Sequence, residues 1–304
     1  MISVIIPLYN KAGSIAQALD SVLAQEYQDF EVVVVDDGST DGGASVVENY
    51  DDARIRLVRQ ENAGVSAARN KGIGEARGEY VTFLDADDVW MLGFLSEIAA
   101  LQREFPQCRA QATNYVFNSN GVKSPTILRK IPFSGERGVL ANYFEVASCS
   151  HPPVCSICVC IERALLQEIG GFPVGIKSGE DLLTWARVAV RTDWAYSMME
   201  LAQYNFDQVS IKEPPTRIPE EIDAVGAELK SMWRRCPNKI GMKKYLCLWH
   251  KMRASVAIRY GERVETLCEV LRSLRYNPLN FKVVLFAILA MLPVWIRRAI
   301  IAHG

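Results

Sequence analysis

The stretch EVVVVDDGSTD, residues 31–41, decides the fold class of this chain. Its four consecutive valines are typical of a buried strand, and the acidic and glycine residues after them indicate a turn. The same order recurs nearby, since apolar runs at 3–6, 55–58 and 80–84 alternate with helical patterns such as residues 66–76. This alternation predicts parallel strands joined by right-handed crossovers, and therefore an α/β sheet with helices on both faces.

Acidic clusters stand where two of these strands end and where a later helix begins. They are Asp36-Asp37, Asp85-x-Asp87-Asp88 and Glu180-Asp181. Ligands of open α/β sheets bind beyond the carboxyl ends of the strands. Carboxylates this close repel one another unless a cation lies between them, and their hard oxygens suit Mg²⁺ or Mn²⁺ held together with phosphates. Taken alone, however, an Asp-x-Asp favours a loop with capped helix ends.

Charge is distributed unevenly along the chain. The whole sequence has 34 Lys+Arg against 35 Asp+Glu, but residues 231–304 hold 14 basic and only 3 acidic residues. An acidic body with a basic tail predicts contact between the tail and an anionic surface, either a membrane or a nucleic acid. The composition is close to the globular average, which excludes disordered, collagen-like and disulfide-scaffold proteins.

The segment 283–296 is apolar for 14 consecutive residues and lies between Lys282 and Arg297-Arg298. As a helix it would be about 21 Å long, which is short of the roughly 30 Å hydrocarbon core of a bilayer. Pro293 also interrupts it. An interfacial or re-entrant membrane anchor is therefore favoured over a buried core helix. With no secretory signal at the start of the sequence, we expect a peripheral or monotopic protein on the cytoplasmic face of the cell's inner membrane.

The cysteines allow two interpretations. Cys149, His151, Cys155, Cys158 and Cys160 lie close together, which is compatible with a zinc site. No second CxxC pair follows at finger spacing, however, and the surrounding apolar alternation predicts a buried strand over residues 154–161. Reduced structural thiols are the favoured interpretation.

The order of the polar motifs is more specific than any single motif. The motifs are Pro7-x-Tyr9-Asn10, Val35-Asp36-Asp37-Gly38-Ser39-Thr40-Asp41, Asn62-x-Gly64-x-Ser66-x-x-Arg69-Asn70-x-Gly72, Leu84-Asp85-Ala86-Asp87-Asp88, Gly170-Gly171-Phe172 and Gly179-Glu180-Asp181-x-x-x-Trp185-x-Arg187. In this order the chain resembles the family-2 glycosyltransferases, which are inverting enzymes with the glycosyltransferase-A fold. The resemblance covers roughly residues 1–205.

This resemblance implies a role for each matched residue. The nucleotide of a UDP-sugar would be bound by Pro7, Tyr9, Asn10, Asp37, Asp41, Arg69 and Asp85. Mn²⁺ or Mg²⁺ would be held by Asp87 with Asp85, while Asp181, beside Glu180, would be the general base. Trp185 and Arg187 would contact the acceptor, although Trp185 is equally suited to a core position. Asp36 is expected to order its turn rather than to bind ligand.

We therefore expect a glycosyltransferase-A domain over residues 1–212 and a basic, helical, membrane-associating region over residues 213–304. The partners would be a UDP-sugar, a glycan or polyprenyl-linked acceptor and an anionic membrane, with no nucleic acid. The Gln-x-x-Arg-Trp signature of processive synthases is absent after Asp181, which favours transfer of one or a few sugars. Two alternatives remain at this stage. A dinucleotide oxidoreductase is disfavoured because no Gly-x-Gly-x-x-Gly follows the first strand. The other alternative is an inactive relative that acts as a membrane or nucleic-acid adaptor.

Overall fold

A computed structural model describes residues 1–206, 222–293 and 297 of the chain. Within these residues the chain folds around one ten-stranded sheet. Its first four strands are parallel and lie in the order β3-β2-β1-β4. They are β1 (Ile2–Leu8), β2 (Phe30–Asp36), β3 (Ile55–Arg59) and β4 (Tyr80–Phe83).

Helices connect these parallel strands, as the alternating sequence pattern predicts. They are α1 (Ile15–Leu23), α2 (Gly43–Glu48) and α3 (Val65–Glu75). Every residue of β2 is buried, which explains why its valine run is uninterrupted rather than alternating. The register of β1 and β2 runs from Ile2 opposite Phe30 to Leu8 opposite Asp36, so both strands end at the same edge of the sheet.

The other half of the sheet is mixed. Beyond β4 the order continues as β9-β6-β10-β5, with β7 paired to β6 and β8 paired to β10. These strands are β5 (Val89–Trp90), β6 (Ala110–Ser119), β7 (Val122–Pro125), β8 (Arg137–Leu140), β9 (Val159–Glu162) and β10 (Trp194–Asn205). Strand β9 is antiparallel to both of its neighbours, whereas β10 is parallel to β6. The helices of this half are α4 (Phe94–Glu104), α5 (Tyr143–Cys149), α6 (Arg163–Glu168) and α7 (Glu180–Arg191).

The strand expected over residues 154–161 is only half correct. Residues 156–158 form a 3-10 turn, and β9 begins at Val159. The backbone N–H of Cys155 lies 3.2 Å from the Sγ of Cys158, and this local hydrogen bond closes the turn where the apolar alternation favoured a strand.

In the described residues of the basic end of the chain, 222–293 and 297, four helices are present. They are α8 (Ala224–Arg235), α9 (Met242–Tyr260), α10 (Arg263–Tyr276) and α11 (Phe281–Met291). Leu229, Leu246 and Trp249 belong to the same apolar cluster as Ile5 and Phe83 of the sheet, so one core runs through both parts. The domain boundary expected between residues 212 and 213 lies outside the described residues.

The apolar segment expected at 283–296 is described as far as residue 293. In α11, Val283, Leu289 and Ala290 are buried, whereas Leu285 is 56% and Ile288 48% exposed. The described part of this segment is therefore buried at some positions and exposed to solvent at others. In the part of the chain that the structure describes, no helix has the length and hydropathy needed to cross a bilayer.

Candidate active site

A cleft of about 490 Å³ opens at the carboxyl ends of the parallel strands β1, β2 and β4. Eight of the residues with a predicted catalytic, nucleotide-binding or metal-binding role line it: Pro7, Tyr9, Asp37, Arg69, Asp85, Asp87, Glu180 and Asp181. Asp87 and Asp181 are far apart in the sequence, yet they lie in the walls of the same cavity. The fold therefore brings the acidic loop after β4 to the beginning of α7.

Two cations neutralise part of the acidic loop. The Nη2 atom of Arg69 lies 2.7 Å from the Oδ1 atom of Asp85, and the Nζ atom of Lys11 lies 2.6 Å from the Oδ2 atom of Asp87. Arg69 is buried, with its guanidinium over the ring of Phe172. The negative charges of Asp85, Asp181 and Glu180 outweigh the opposing effect of burial and raise the pKa of Arg69. A permanent, rigid cation thus stands between the acidic loop and α7.

Asp88 is the most deeply buried carboxyl group of this loop. Its Oδ1 atom accepts a hydrogen bond of 2.6 Å from the backbone N–H of Asn205. Burial, followed by repulsion from Asp85, raises the pKa of Asp88 to about 9. Asp85, Asp87 and Asp88 together supply carboxylate oxygens at the mouth of the cleft, which are the hard donors that suit a divalent cation.

Asp37 is buried at the end of β2 and anchors the loop before α3. Its Oδ1 atom accepts hydrogen bonds from the Gln60 side chain at 2.7 Å and from the Ala63 backbone N–H at 2.9 Å. Its Oδ2 atom accepts one from the Gly64 N–H at 2.9 Å. Asp36 instead accepts from the backbone N–H of Ser39, within its own turn. The carboxylate of Asp37 therefore faces the cleft as part of a fixed loop.

Asn10 and Asp41 do not line the main cleft. They line an adjoining depression that shares Lys11 and Asp87 with it. The Asn10 side chain accepts a hydrogen bond from the Thr40 N–H at 2.9 Å, and Asp41 accepts one from the Ala12 N–H at 2.8 Å. These backbone donors lower the pKa of Asp41. Both residues link the loop after β1 to the loop after β2, and their contact with a nucleotide stays a prediction.

Helix α7 places Glu180 and Asp181 at its first turn. Gly179 precedes them with a φ of 86°, a left-handed conformation that favours glycine. Glu180 is buried, whereas Asp181 is partly exposed and accepts a hydrogen bond of 2.7 Å from the Leu182 N–H. Both carboxyl groups therefore lie at the positive end of the helix dipole.

The structure corrects the two expected acceptor contacts. Trp185 has no exposed surface and packs edge-to-face against Phe172 and Trp194, so it belongs to the core. Arg187 lies two residues further along α7, outside the cleft. Its Nε and Nη2 atoms each donate to a carboxylate oxygen of Glu228 at 2.7 Å. Arg187 therefore joins α7 to α8.

Several residues that line the cleft were not identified from the sequence. They are Lys11, Tyr204, Asn205 and the turn at residues 155–157. The position of Lys11 directly after Tyr9-Asn10 is a signal that could have been used. Tyr204 and Asn205 end a strand of the mixed half, where no motif marks them. The side chain of Asn205 donates a hydrogen bond of 2.7 Å to the backbone carbonyl oxygen of Asp87 and so links β10 to the acidic loop.

The cysteines are placed as the reduced-thiol interpretation expects. All eight are free thiols, and the Sγ atoms of Cys155 and Cys158 are 3.6 Å apart. Within the described ranges, Asp223, His250 and Glu269 are the one group of three side chains whose metal-ligating atoms all lie within 4.8 Å of one another; neither the cysteines nor Asp85, Asp87 and Asp88 form such a group. The zinc interpretation of this segment therefore finds no support in the geometry.

Comparison with known proteins identifies the family. Residues 3–157, just over half of the chain, match the sequence model described as Glycosyl transferase family 2. TuaG of Bacillus subtilis, a glycosyltransferase assigned by name to teichuronic acid biosynthesis, is 34% identical over 215 residues, which cover 69% of this chain and 81% of TuaG. An uncharacterised glycosyltransferase of Rickettsia felis is also 34% identical, over 192 residues. The chain spans only 17% to 30% of the length of three of the most similar curated relatives.

Solved structures show the same fold. TarS of S. aureus in complex with UDP-GlcNAc superposes with a TM-score of 0.64 at 20% identity, covering 99% of this chain and 88% of the other. A mannosyltransferase of Pyrobaculum calidifontis, in complex with GDP-Man and Mn²⁺, gives a TM-score of 0.55 at 20% identity, covering 99% of this chain and 86% of the other. The chain thus has the glycosyltransferase-A fold and belongs to glycosyl transferase family 2.

Proposed function

We propose that this protein is a metal-dependent, inverting glycosyltransferase that transfers a sugar from a UDP-sugar to a glycan or lipid-linked acceptor. The observation that carries the proposal is the shared cleft, in which Asp87 and Asp181 lie on one cavity with Asp37 and Tyr9. This arrangement provides a place for a nucleotide, a place for a cation on its phosphates and a base beyond them.

The nucleoside would lie between β1 and the loop after β2. The Tyr9 ring is 49% exposed at the mouth of the cleft and offers a face on which a uracil can stack. The Oδ2 atom of Asp37, which accepts only the Gly64 N–H among the described contacts, can also accept the uracil N–H, because each carboxylate oxygen has two lone pairs. The solved complex of TarS with UDP-GlcNAc supports the choice of a UDP-sugar.

Asp87, assisted by Asp85, would hold Mn²⁺ or Mg²⁺. The carboxylates fit such an ion, since the Lys11 ammonium already occupies a cation position on Asp87 and the oxygens of Asp85 and Asp88 line the same cleft. When bound, the metal would neutralise the charge that develops on the leaving diphosphate. Arg69 stands beside Asp85 and would contribute a further fixed positive charge toward the same phosphates.

Asp181 would be the general base. Its carboxylate takes the proton of an acceptor hydroxyl while that oxygen forms a bond to the anomeric carbon of the donor sugar. The bond from the anomeric carbon to the diphosphate breaks on the opposite face, and UDP leaves with the electron pair. One displacement inverts the configuration, so no carboxylate nucleophile is needed.

Cell-surface polysaccharide biosynthesis is the setting that we propose for this reaction. The similarity to TuaG, whose name refers to teichuronic acid biosynthesis, supports it. The absence of a Gln-x-x-Arg-Trp sequence after Asp181 favours addition of one or a few sugars.

We place the enzyme on the cytoplasmic face of the inner membrane, bound through α10 and α11. Apolar side chains on these helices face solvent, namely Val264, Leu267, Leu271, Phe281, Leu285, Ile288 and Met291. The exposed cations Arg275 and Lys282 lie on the same two helices. Apolar residues beside cations match the acyl and phosphate layers of an anionic bilayer.

Vesicle flotation tests this location. The full chain should float with vesicles that contain phosphatidylglycerol and remain at the bottom with pure phosphatidylcholine. Leu285→Glu combined with Ile288→Glu should abolish flotation, whereas Val122→Glu, at an even more exposed apolar position on β7, should not. Flotation that is unaffected by the double substitution, or binding to nucleic acid in a gel shift instead, would contradict the assignment.

The activity is tested with a panel of nucleotide-sugars. Purified protein with Mn²⁺ or Mg²⁺ should release UDP from at least one UDP-sugar, faster when a bacterial membrane extract supplies the acceptor, and chelation should stop the release. A protein that binds UDP with Mn²⁺ but turns over no donor would instead be an inactive adaptor.

A further inference from the structure

Helix α9 touches the beginning of α7 on both sides of Asp181. On one side, a Cβ atom added to Gly179 would lie 2.6 Å from the Cη2 and Cζ3 atoms of Trp249, so this ring rests directly against the backbone. On the other side, the Tyr245 hydroxyl group donates to the Leu182 carbonyl oxygen at 3.3 Å. Residues 179 and 182 flank the carboxylate, and both are held by the C-terminal helices.

Trp249 is itself held firmly. Its side chain is buried, and its Nε1 atom donates to both carboxylate oxygens of Asp223 at 3.0 and 3.2 Å. Asp223 in turn caps α8 by accepting the Gly226 N–H at 2.8 Å. The ring that meets Gly179 is therefore fixed by a neighbouring helix rather than by solvent-exposed contacts.

Tyr245 lies on the same face of α9 as Trp249, since the two residues are four positions apart. It packs against Tyr143 and Phe144 of α5. Burial raises the pKa of Tyr143 and of Tyr245, and the charge of Asp181 adds to both increases. The carboxylate of Asp181 is thus close to this packing even though the two tyrosines do not hydrogen-bond to it in the described contacts.

We propose that Trp249 is a positioning residue, which holds the Gly179–Leu182 turn so that Asp181 points into the cleft. The inference rests on the proposed function, in which Asp181 is the base. Gly179 suits this contact for two reasons: it adopts a left-handed φ, and it lacks the Cβ atom that Trp249 would exclude. A displacement of about 1 Å at a reacting group costs up to roughly a hundredfold in rate.

Trp249→Ala in the full chain tests this contact. UDP release is measured with Mn²⁺, a bacterial membrane extract and the UDP-sugar that gives the fastest release. We expect kcat to fall by about tenfold to a hundredfold, with the donor KM and the Kd for UDP changed less than about twofold. Trp249→Phe keeps a ring against Gly179 and should recover kcat to within about threefold of the wild type.

Trp233→Ala is the matched control. This indole belongs to α8 and contacts Tyr276 in the same helical region, but it has no described contact with α7. It should leave kcat within about twofold of the wild type while lowering the melting temperature. If Trp249→Ala has wild-type kcat, or if Trp233→Ala lowers kcat equally, the proposal is wrong. If Trp249→Ala does not fold, Trp249→Leu replaces it, and wild-type kcat in that variant overturns the proposal.

A double-substitution cycle isolates the contact with Gly179. Gly179→Ala strains the backbone in any background, but it collides with the indole only when Trp249 is present. The loss of kcat caused by Gly179→Ala should therefore be smaller in the Trp249→Ala background, and equal losses contradict the contact. Asp181→Asn serves as the reference: an active Asp181→Asn enzyme disproves the base assignment, whichever way the Trp249 variants behave.

Discussion

If Asp87 binds the proposed metal ion, Lys11 competes with that ion for its carboxylate, and this competition can be measured. Its Nζ atom lies 2.6 Å from the Asp87 Oδ2 atom, and the two side chains are 46% and 38% exposed. An ion that binds the Oδ2 atom of Asp87 would have to displace this ammonium group. Lys11→Met keeps most of the aliphatic stem and removes the competing charge.

The expected change in Mn²⁺ affinity follows from the solvent exposure of the Lys11–Asp87 ion pair. Ion pairs that remain this accessible to solvent contribute roughly 0.2–1 kcal/mol. Since about 1.4 kcal/mol corresponds to a tenfold change in an equilibrium constant, the Kd of Mn²⁺ should fall by up to about fivefold in Lys11→Met. Free Mn²⁺ is measured by electron paramagnetic resonance during a titration without nucleotide.

Lys71→Met is the matched control for this titration. Lys71 pairs with Glu75 at 3.0 Å on α3, outside the cleft, and its removal changes the total charge by the same amount. Its Kd for Mn²⁺ should equal that of the wild type. If Lys11→Met binds Mn²⁺ no more tightly than Lys71→Met, the ion does not bind where the Lys11 ammonium lies, and the metal assignment to Asp87 fails.

Two further predictions concern residues of the C-terminal helices. Glu269 is buried; burial alone would raise its pKa, but hydrogen bonds from His250 and Arg253 outweigh this and lower the pKa from 4.5 to about 2. The ionised group therefore stabilises the fold above pH 4.5, and this contribution is lost as the pH falls toward 2. Glu269→Gln should lower the free energy of unfolding by about 3 kcal/mol at pH 7, with the deficit shrinking below about pH 4.5; a deficit independent of pH in denaturant titrations would refute this explanation. Arg187→Ala removes the paired hydrogen bonds to Glu228 and leaves the cleft residues unchanged. The melting temperature should therefore fall, while kcat and the donor KM stay within about twofold of the wild type. A large rise in the acceptor KM would instead show that Arg187 contributes to acceptor binding.

The parallel half of the fold could be predicted because its signals are local. The buried valine run of β2 and the polar residues directly after it mark a strand end, and topology then brings several such ends to one edge. The convergence of Asp37 with Asp85 and Asp87 follows from that rule alone. The position of Asp181 does not follow from it, since α7 belongs to the mixed half of the sheet, and that position was expected only from the resemblance to a family.

Other features depend on contacts that sequence patterns do not specify. The position of Trp185 on α7 is compatible with either a core side chain or one that faces the acceptor. Only the packing of Phe172 and Trp194 around its ring shows that it belongs to the core. Lys11 becomes a partner of Asp87 across 76 positions of sequence. The 3-10 turn before β9 replaces a strand because the Cys158 thiol accepts a local hydrogen bond from the Cys155 backbone N–H. The alternation of apolar residues carries no information about such a bond.

In the proposed function, one cleft joins a metal-binding carboxylate, Asp87, to a separate catalytic base, Asp181. UDP binding and sugar transfer are therefore compared in a single preparation of Asp181→Asn. We predict that the Kd for UDP with Mn²⁺ stays within about twofold of the wild type while kcat falls by at least about a hundredfold. Transfer at the wild-type rate by this variant, with binding intact, would contradict this prediction.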